Sequence, residues 1–183
     1  MSVQTSFSDT PAIAFAGMLA DGAENDLITL LNAESSASMA FGSAVAFKPS
    51  GTYDSDGTVP ANSTDKIAGI LVHSHAHARQ VSLVGTDGNT TTMGDLSTTG
   101  VAPGGKLDIL RKGRVWITTV TACVPGDRGY VSYNGTGTAT AAGLVAQTSD
   151  SSHTIDSTSQ IVYLTSASAN GLAMIEVDFT NKP

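Results

Sequence analysis

The sequence is poor in ionic groups and aromatic rings, and it contains a single cysteine, Cys123. One cysteine excludes an intrachain disulfide, and it is compatible with folding in a reducing compartment. Charged residues make up 14% of the chain, well below the share of roughly 25% that is usual in soluble domains. No apolar run reaches the roughly 18 residues that a membrane-spanning helix needs.

Positive charge is especially scarce. Nine Lys and Arg residues stand against 16 Asp and Glu residues, which gives a net charge of −7. A protein that binds nucleic acid needs a basic surface to displace counterions from the phosphates, and this chain has none. We therefore expect no nucleic-acid partner.

Small and β-branched residues are abundant in the chain. The chain of 183 residues contains 23 Thr, 21 Ser and 19 Gly, while hydrophobic residues still make up 40% of it. Apolar content at this level with little charge argues against disorder, and the length suits one domain. Threonine and valine favour strands, whereas glycine and serine favour turns. The composition therefore predicts an all-β protein.

Short apolar or alternating runs recur between turn signals, and they predict strands with no long helix. The run at 27–31 is compatible with a helical turn or a strand. The residues on either side of Lys112-Gly113 predict a tight hairpin at that dipeptide. The expected architecture is a jelly-roll-like β-sandwich or barrel of short strands with long loops. The predicted strands include 44–47, 66–72, 80–84, 107–111, 114–122, 129–133, 161–165 and 172–179.

We divide the chain at residue 25. Residues 1–25 are either an arm that contacts a partner protein or a neighbouring subunit, or the first strand of the body. The stretch from Ser2 to Leu19 has one charged side chain, so few ionic groups would need desolvation if it were buried against a partner. Residues 26–183 are expected to form a single β-rich domain. The tract at 134–160, rich in Gly, Ala, Ser and Thr, is expected to be an exposed excursion.

Patterns that would support catalysis are weak. His73, His75 and His77 would share one face of a strand and could hold a zinc ion, but no fourth ligand is nearby. The run Asp54-Ser55-Asp56-Gly57 lacks the further ligands of a calcium loop. Cys123 has apolar neighbours, which indicates a buried thiol. We therefore expect no enzyme activity, no cofactor and no bound metal.

A few residues are candidate contacts with a protein partner. Arg111, Lys112 and Arg114 place three of the nine cations within four residues, where they could hold an acidic partner or simply be solvated. Trp116, the only tryptophan, lies in a strand whose two faces are both largely apolar or β-branched. One face is therefore covered either by the core or by a partner. Phe15 in the N-terminal segment completes the set.

Several segments, taken in order, resemble the structural cement proteins that decorate the capsids of tailed bacteriophages. The most telling is Gly113-Arg114-Val115-Trp116-Ile117. The opening Gln4…Pro11 and the turn and strand Pro125-Gly126-Asp127…Tyr130-Val131 fit as well. The resemblance covers most of the chain, and its other segments are Phe41–Val45, Ile67–Val72 and Gly171–Val177.

The resemblance implies a β-rich, jelly-roll-like protein on the outer surface of the capsid in the virion, made in the cytoplasm of the bacterial host. It implies that the protein binds the assembled capsid, stabilises contacts between major capsid protein subunits, and acts as a homodimer or homotrimer. It brings no catalytic residues with it. The acidic surface is compatible with a position away from the packaged DNA.

Two other classes of function remain open from the sequence. One is a carbohydrate- or receptor-binding β-sandwich module of a phage particle, although such sites often present exposed aromatic rings and this chain has few. The other is a metal-dependent, cupin-like hydrolase built around His73, His75 and His77.

Overall fold

The computed structural model describes residues 14–20, 25–36, 38–48, 56–73, 81–84, 90–93, 100–133, 142–150 and 152–180, with only the backbone described at 81–84 and 90–93. These residues form fourteen strands and contain no helix, which confirms the all-β prediction. Within these ranges no helix is long and apolar enough to cross a membrane. The strands are β1 (Asp26–Asn32), β2 (Met39–Ala40), β3 (Ala44–Phe47), β4 (Asp56–Thr58), β5 (Ile67–Val72), β6 (Val81–Val84), β7 (Thr90–Met93), β8 (Gly100–Val101), β9 (Lys106–Thr118), β10 (Tyr130–Ser132), β11 (Val145–Ala146), β12 (Thr154–Asp156), β13 (Ile161–Tyr163) and β14 (Leu172–Asp178).

Five strands close into a small barrel. They follow the order β1-β4-β3-β5-β9, and the pairing of β1 with β9 completes the ring. Apolar side chains from four of these strands pack together with residues from β2, β8 and the turn after β2. Leu107 and Ile109 of β9 are fully buried in this cluster. The run at 27–31, left open from the sequence, is part of strand β1.

Strand β5 is buried on both faces. Leu71 belongs to the cluster of the barrel, whereas its neighbours Ile70 and Val72 belong to a second cluster outside it. A strand with two covered faces needs apolar side chains at successive positions. This explains why the sequence of β5, IAGILV, is almost continuously apolar.

The second cluster lies between the barrel and the continuation of its sheet. Beyond the barrel, β9 pairs with β14, and β14 pairs with β13. A three-stranded sheet of order β11-β10-β12 contributes Val131 and Val145 to the same cluster. Val115, Ile117 and Ile175 from β9 and β14 are fully buried there. Strand β9 therefore belongs to both halves of the protein.

The predicted hairpin at Lys112-Gly113 is wrong. Strand β9 runs through this dipeptide without turning, as one strand of 13 residues. Its first half pairs with β1 and β5, and its second half pairs with β14. Gly113 has a φ of 136°, a backbone conformation that glycine reaches more readily than other residues. Gly113 therefore lies where β9 changes its pairing partners, and the chain does not reverse direction there.

The described part of the N-terminal segment lies beside β9. The N–H of Gly17 donates to Trp116 O at 2.7 Å, and the N–H of Ala20 donates to Arg114 O at 2.9 Å. Leu19 forms an antiparallel bridge with Val115. Residues 17–20 thus extend the sheet, whereas residues 1–13 lie outside the described residues.

The tract at 134–160 is buried in part. Its residues 142–150 and 152–160 are described, and they include β11 and β12. Val145 and Ala146 are each 1% exposed, and Ser157 is fully buried. This part of the tract therefore contributes to the second core, because β11 and β12 pair with β10 on either side.

Candidate contact face

Trp116 lies on the outer face of the sheet formed by β9 and β14. Its neighbours in sequence, Val115 and Ile117, point into the second core and are fully buried. Trp116 itself is half-buried. Of the two explanations that the sequence left open, core packing thus applies to the opposite face of the strand. The face that carries the indole ring is not covered by the core.

The strand register places three more apolar side chains beside Trp116. Met174 is its direct partner on β14. The N–H of Trp116 donates to Met18 O at 2.9 Å, and the N–H of Leu164 donates to Met174 O at 2.8 Å. Because Leu19 and Tyr163 pack in the core, alternation turns Met18 and Leu164 to the outer side with Trp116. We call the row Met18, Trp116, Met174 and Leu164 the Trp116 face.

The Trp116 face crosses four neighbouring strands or strand-like segments. With about 4.8 Å between adjacent strands, the row is roughly 15 Å long. All four side chains are partly exposed. Outer faces of antiparallel sheets are usually polar when they meet water, so an apolar row there indicates a surface for contact with another molecule.

Charged side chains border the Trp116 face on one side. Arg114 Nε lies 3.0 Å from Glu176 Oε2, and both side chains are about half exposed. Lys112 pairs in register with Asp178. Hydrogen bonds from the hydroxyl and N–H of Thr180 lower the pKa of Asp178, and Lys112 acts in the same direction. This border therefore has two positive and two negative groups and no net charge.

The three clustered cations do not form one basic surface. Arg114 alternates with Trp116 on the outer face, whereas Arg111 lies 3.6 Å from Asp26 Oδ2 and also reaches Phe179 O at 3.5 Å. Both arginines are thus paired with acidic groups of their own chain. They are also on a strand and not on a hairpin tip. Contact of these three residues with an acidic partner stays a prediction, now for a strand and not for a hairpin tip.

Phe15 is next to the row, in the turn that leads into it. The N–H of Met18 donates to Phe15 O at 3.1 Å, and the Phe15 side chain is 51% exposed. Its ring meets His73 edge-on, with 5.4 Å between centroids, and His73 meets Phe41 at 4.9 Å. Phe15 is therefore an exposed ring that precedes Met18 in the backbone turn and packs on His73.

Only part of each motif considered for metal binding lies within the described residues. His73 is described and packs between two phenylalanine rings, whereas His75 and His77 lie outside the described residues. Asp54 and Ser55 are likewise outside them. Within the described ranges, no group of three His, Cys, Asp or Glu side chains could hold a metal ion.

Cys123 is 5% exposed, in agreement with the prediction of a buried thiol. Burial raises the pKa of this thiol, which donates to Thr165 O at 3.7 Å. A raised pKa leaves less of the reactive thiolate at neutral pH. The geometry therefore favours a structural role for Cys123.

Sequence reasoning missed Met18, Leu164 and Met174 as members of the surface around Trp116. The side on which Met174 lies could be predicted from the sequence of β14. Met174 alternates there with the buried residues, so it lies on the same side of the strand as Glu176. Met18 and Leu164 had no such signal, since their positions depend on which segments pair with β9 and β14. These pairings join residues far apart in the sequence.

The comparisons with known proteins agree with one another. A family model described as structural cement protein (E217 gp24/Pam3 gp6) matches residues 3–178. A chain from a solved structure titled "The capsid of Myoviridae Phage XM1" has a similar fold, with a TM-score of 0.64 and 14% sequence identity. The match covers 97% of this chain and 98% of that chain. No curated protein matches the sequence.

Proposed function

The chain belongs to the family of phage structural cement proteins, and from this premise we propose that it binds the outer surface of the assembled capsid and stabilises contacts between major capsid protein subunits. A capsid cement protein is a component of the virion, and it associates with the capsid. The observation that carries the proposal is the family match, which spans nearly the whole chain.

The charge of the chain supports the outer surface. A net charge of −7 would repel packaged DNA, whereas it has no such cost outside the shell. The family is a structural one, and we propose that the protein acts without catalysis. Its stabilising effect would come from many copies that each make modest contacts, because contacts on one particle add through effective concentration.

Two further features belong to this proposal. The protein binds the capsid as a homodimer or homotrimer, and residues 2–10 act as an arm that contacts a capsid subunit or a neighbouring copy. The described residues that follow this segment pair with β9 from Gly17 onward. The one charged residue of the segment, Asp9, keeps the desolvation cost of burial small.

The test compares particles assembled with and without the protein. Particles that lack it should assemble, because a cement acts on a shell that is already closed. They should release their DNA at a lower temperature than complete particles in a dye-accessibility assay, and adding the purified protein should restore the difference. Equal heat resistance of the two kinds of particle would contradict the proposal.

A further inference from the structure

We propose that the Trp116 face is the surface that binds the major capsid protein, and that the segment bound there is apolar and uncharged. This inference rests on the proposed function, because it names the partner from the association with the capsid. It goes further by assigning the contact to one side of one sheet.

The two sides of this sheet differ in a way that internal packing does not require. On the inner side, Ile117 and Ala173 are fully buried in the second core. The outer side needs only polar residues to face water, yet its middle row is Met18, Trp116, Met174 and Leu164. Tryptophan and methionine are enriched where proteins bind one another, and truncation of a central tryptophan often costs the most binding energy.

The charges around the row indicate what kind of partner fits. Arg114 and Glu176 form an ion pair of 3.0 Å, and Lys112 stands opposite Asp178. Each cation therefore already has an anion of the same chain beside it. On a chain of net charge −7, this border is locally neutral, so an uncharged, apolar segment can approach without leaving a buried charge unpaired.

The size of the row favours a segment of the capsid protein over a second copy of this chain. A stable protein interface buries about 800 Å² on each partner, and homodimer interfaces are larger and more apolar. The row is roughly 15 Å long, with Leu172 of β14 and Val162 of β13 as apolar neighbours on the same side of the sheet, and its members are already partly buried. Such a surface suits one extended segment, and its modest strength is sufficient where many copies bind one shell.

The experiment measures binding of purified protein to particles that lack it, by co-sedimentation at increasing protein concentration. Trp116→Thr removes the ring and places a β-branched residue, which favours strands, at this position. We expect its apparent affinity to fall at least roughly tenfold. Val124→Thr is the matched control, because Val124 is 56% exposed and lies on a turn outside the row. The control should bind within about twofold of wild type.

The salt dependence gives a second readout of the same surface. Binding by an apolar row with a neutral border should change little between 0.1 and 1 M NaCl, by roughly threefold or less. A steep loss of wild-type binding with salt would mean that charged groups carry the contact, and it would overturn the proposal of an uncharged partner.

The outcomes separate this inference from the proposed function. If wild type stabilises the particles and Trp116→Thr binds as tightly as wild type, the assignment of the face is wrong and the function stands. If wild type neither binds nor stabilises, both fail. Met174→Thr replaces Trp116→Thr if the latter shows a lowered urea midpoint.

A second copy on the face would give a different result, which Trp116 itself reports as the only tryptophan of the chain. The emission of free protein would then shift to longer wavelength on dilution, and Trp116→Thr would lower the mass measured by light scattering. Either observation would overturn the capsid protein as the occupant. An unchanged emission and mass would support it.

Discussion

The hydroxyl groups of Tyr163 and Thr119 form a buried hydrogen bond in the second core. Tyr163 is fully buried, and its hydroxyl lies 2.9 Å from Thr119 Oγ1. Thr119 donates its one hydroxyl proton to Thr121 O at 2.9 Å, so Tyr163 is the donor to Thr119. Burial raises the pKa of Tyr163 far above its ordinary value of 10.

The raised pKa predicts a loss of stability at alkaline pH. Above pH 10 the unfolded chain releases the phenol proton while the folded protein keeps it, so the free energy of unfolding falls as pH rises. Tyr163→Phe should lower stability by about 1 kcal/mol at pH 8 and should weaken the further fall above pH 10. Urea unfolding at pH 8, 10 and 11 measures both effects.

Tyr133→Phe is the control for that experiment, because the Tyr133 hydroxyl bonds to Ser152 O at the surface. This variant should keep the alkaline fall of wild type. The buried thiol of Cys123 acts in the same direction as Tyr163, but it is present in all three proteins and cancels in the comparison. An alkaline fall that is identical in Tyr163→Phe and wild type would contradict the assignment.

At the level of elements, β9 is the strand that joins the barrel to the second sheet. Its first half lies in the barrel, and its second half lies between residues 17–20 and β14. Gly113 is at the point of change, with a φ of 136°. A Cβ at this position would also collide with the side-chain oxygen of Asn25, so shape and conformation both require glycine.

Gly113→Ala should therefore destabilise the protein by more than conformational strain alone. We expect a loss of about 2–3 kcal/mol, the upper end of the range for strained backbone positions, because the side chain of Asn25 must also move. Gly104→Ala is the matched control, since Gly104 has a φ of 74° and open space around it, and it should cost about 1 kcal/mol. Thermal unfolding midpoints measured by circular dichroism should be lower for Gly113→Ala than for Gly104→Ala. Equal midpoints of the two variants would contradict this prediction.

At the level of the whole molecule, we propose two separate means of contact. The Trp116 face lies on a sheet backed by the second core, whereas the N-terminal segment reaches the same sheet at Gly17. The Trp116 face and a separate segment near it could hold two neighbouring capsid subunits at once. The effect of each on binding would then multiply through effective concentration.

Deleting residues 2–10 tests the proposal that this segment is an arm that contacts the capsid or a neighbouring copy. The deletion should weaken binding to particles and leave the urea midpoint unchanged, because the described body from Ala14 onward keeps its pairing with β9. Co-sedimentation and urea unfolding on the same preparation measure both quantities. A lowered midpoint with unchanged binding would show instead that the segment is part of the body's own sheet.

The sequence by itself determined the all-β class, the positions of several strands and the resemblance to cement proteins. The class and the strand positions depend on local signals, namely turn residues and side chains that alternate with a period of two. The resemblance depends instead on whole segments such as Gly113–Ile117 and on their order along the chain. The buried run at 67–72 and the alternating run at 172–179 were read correctly because each signal lies within a few neighbouring residues.

Only the tertiary structure decided what lies beside each strand. It placed Met18 and Leu164 beside Trp116 and Met174 on the same sheet. It also showed that Gly113, predicted to lie in a hairpin, is in the middle of one long strand. A glycine looks the same in sequence whether it lies in a turn or, like Gly113, adopts a positive φ within a strand. Alternation shows that a strand has two faces, but it does not show what covers each face, because the pairing partners are far apart in the chain and are chosen by packing of the whole molecule.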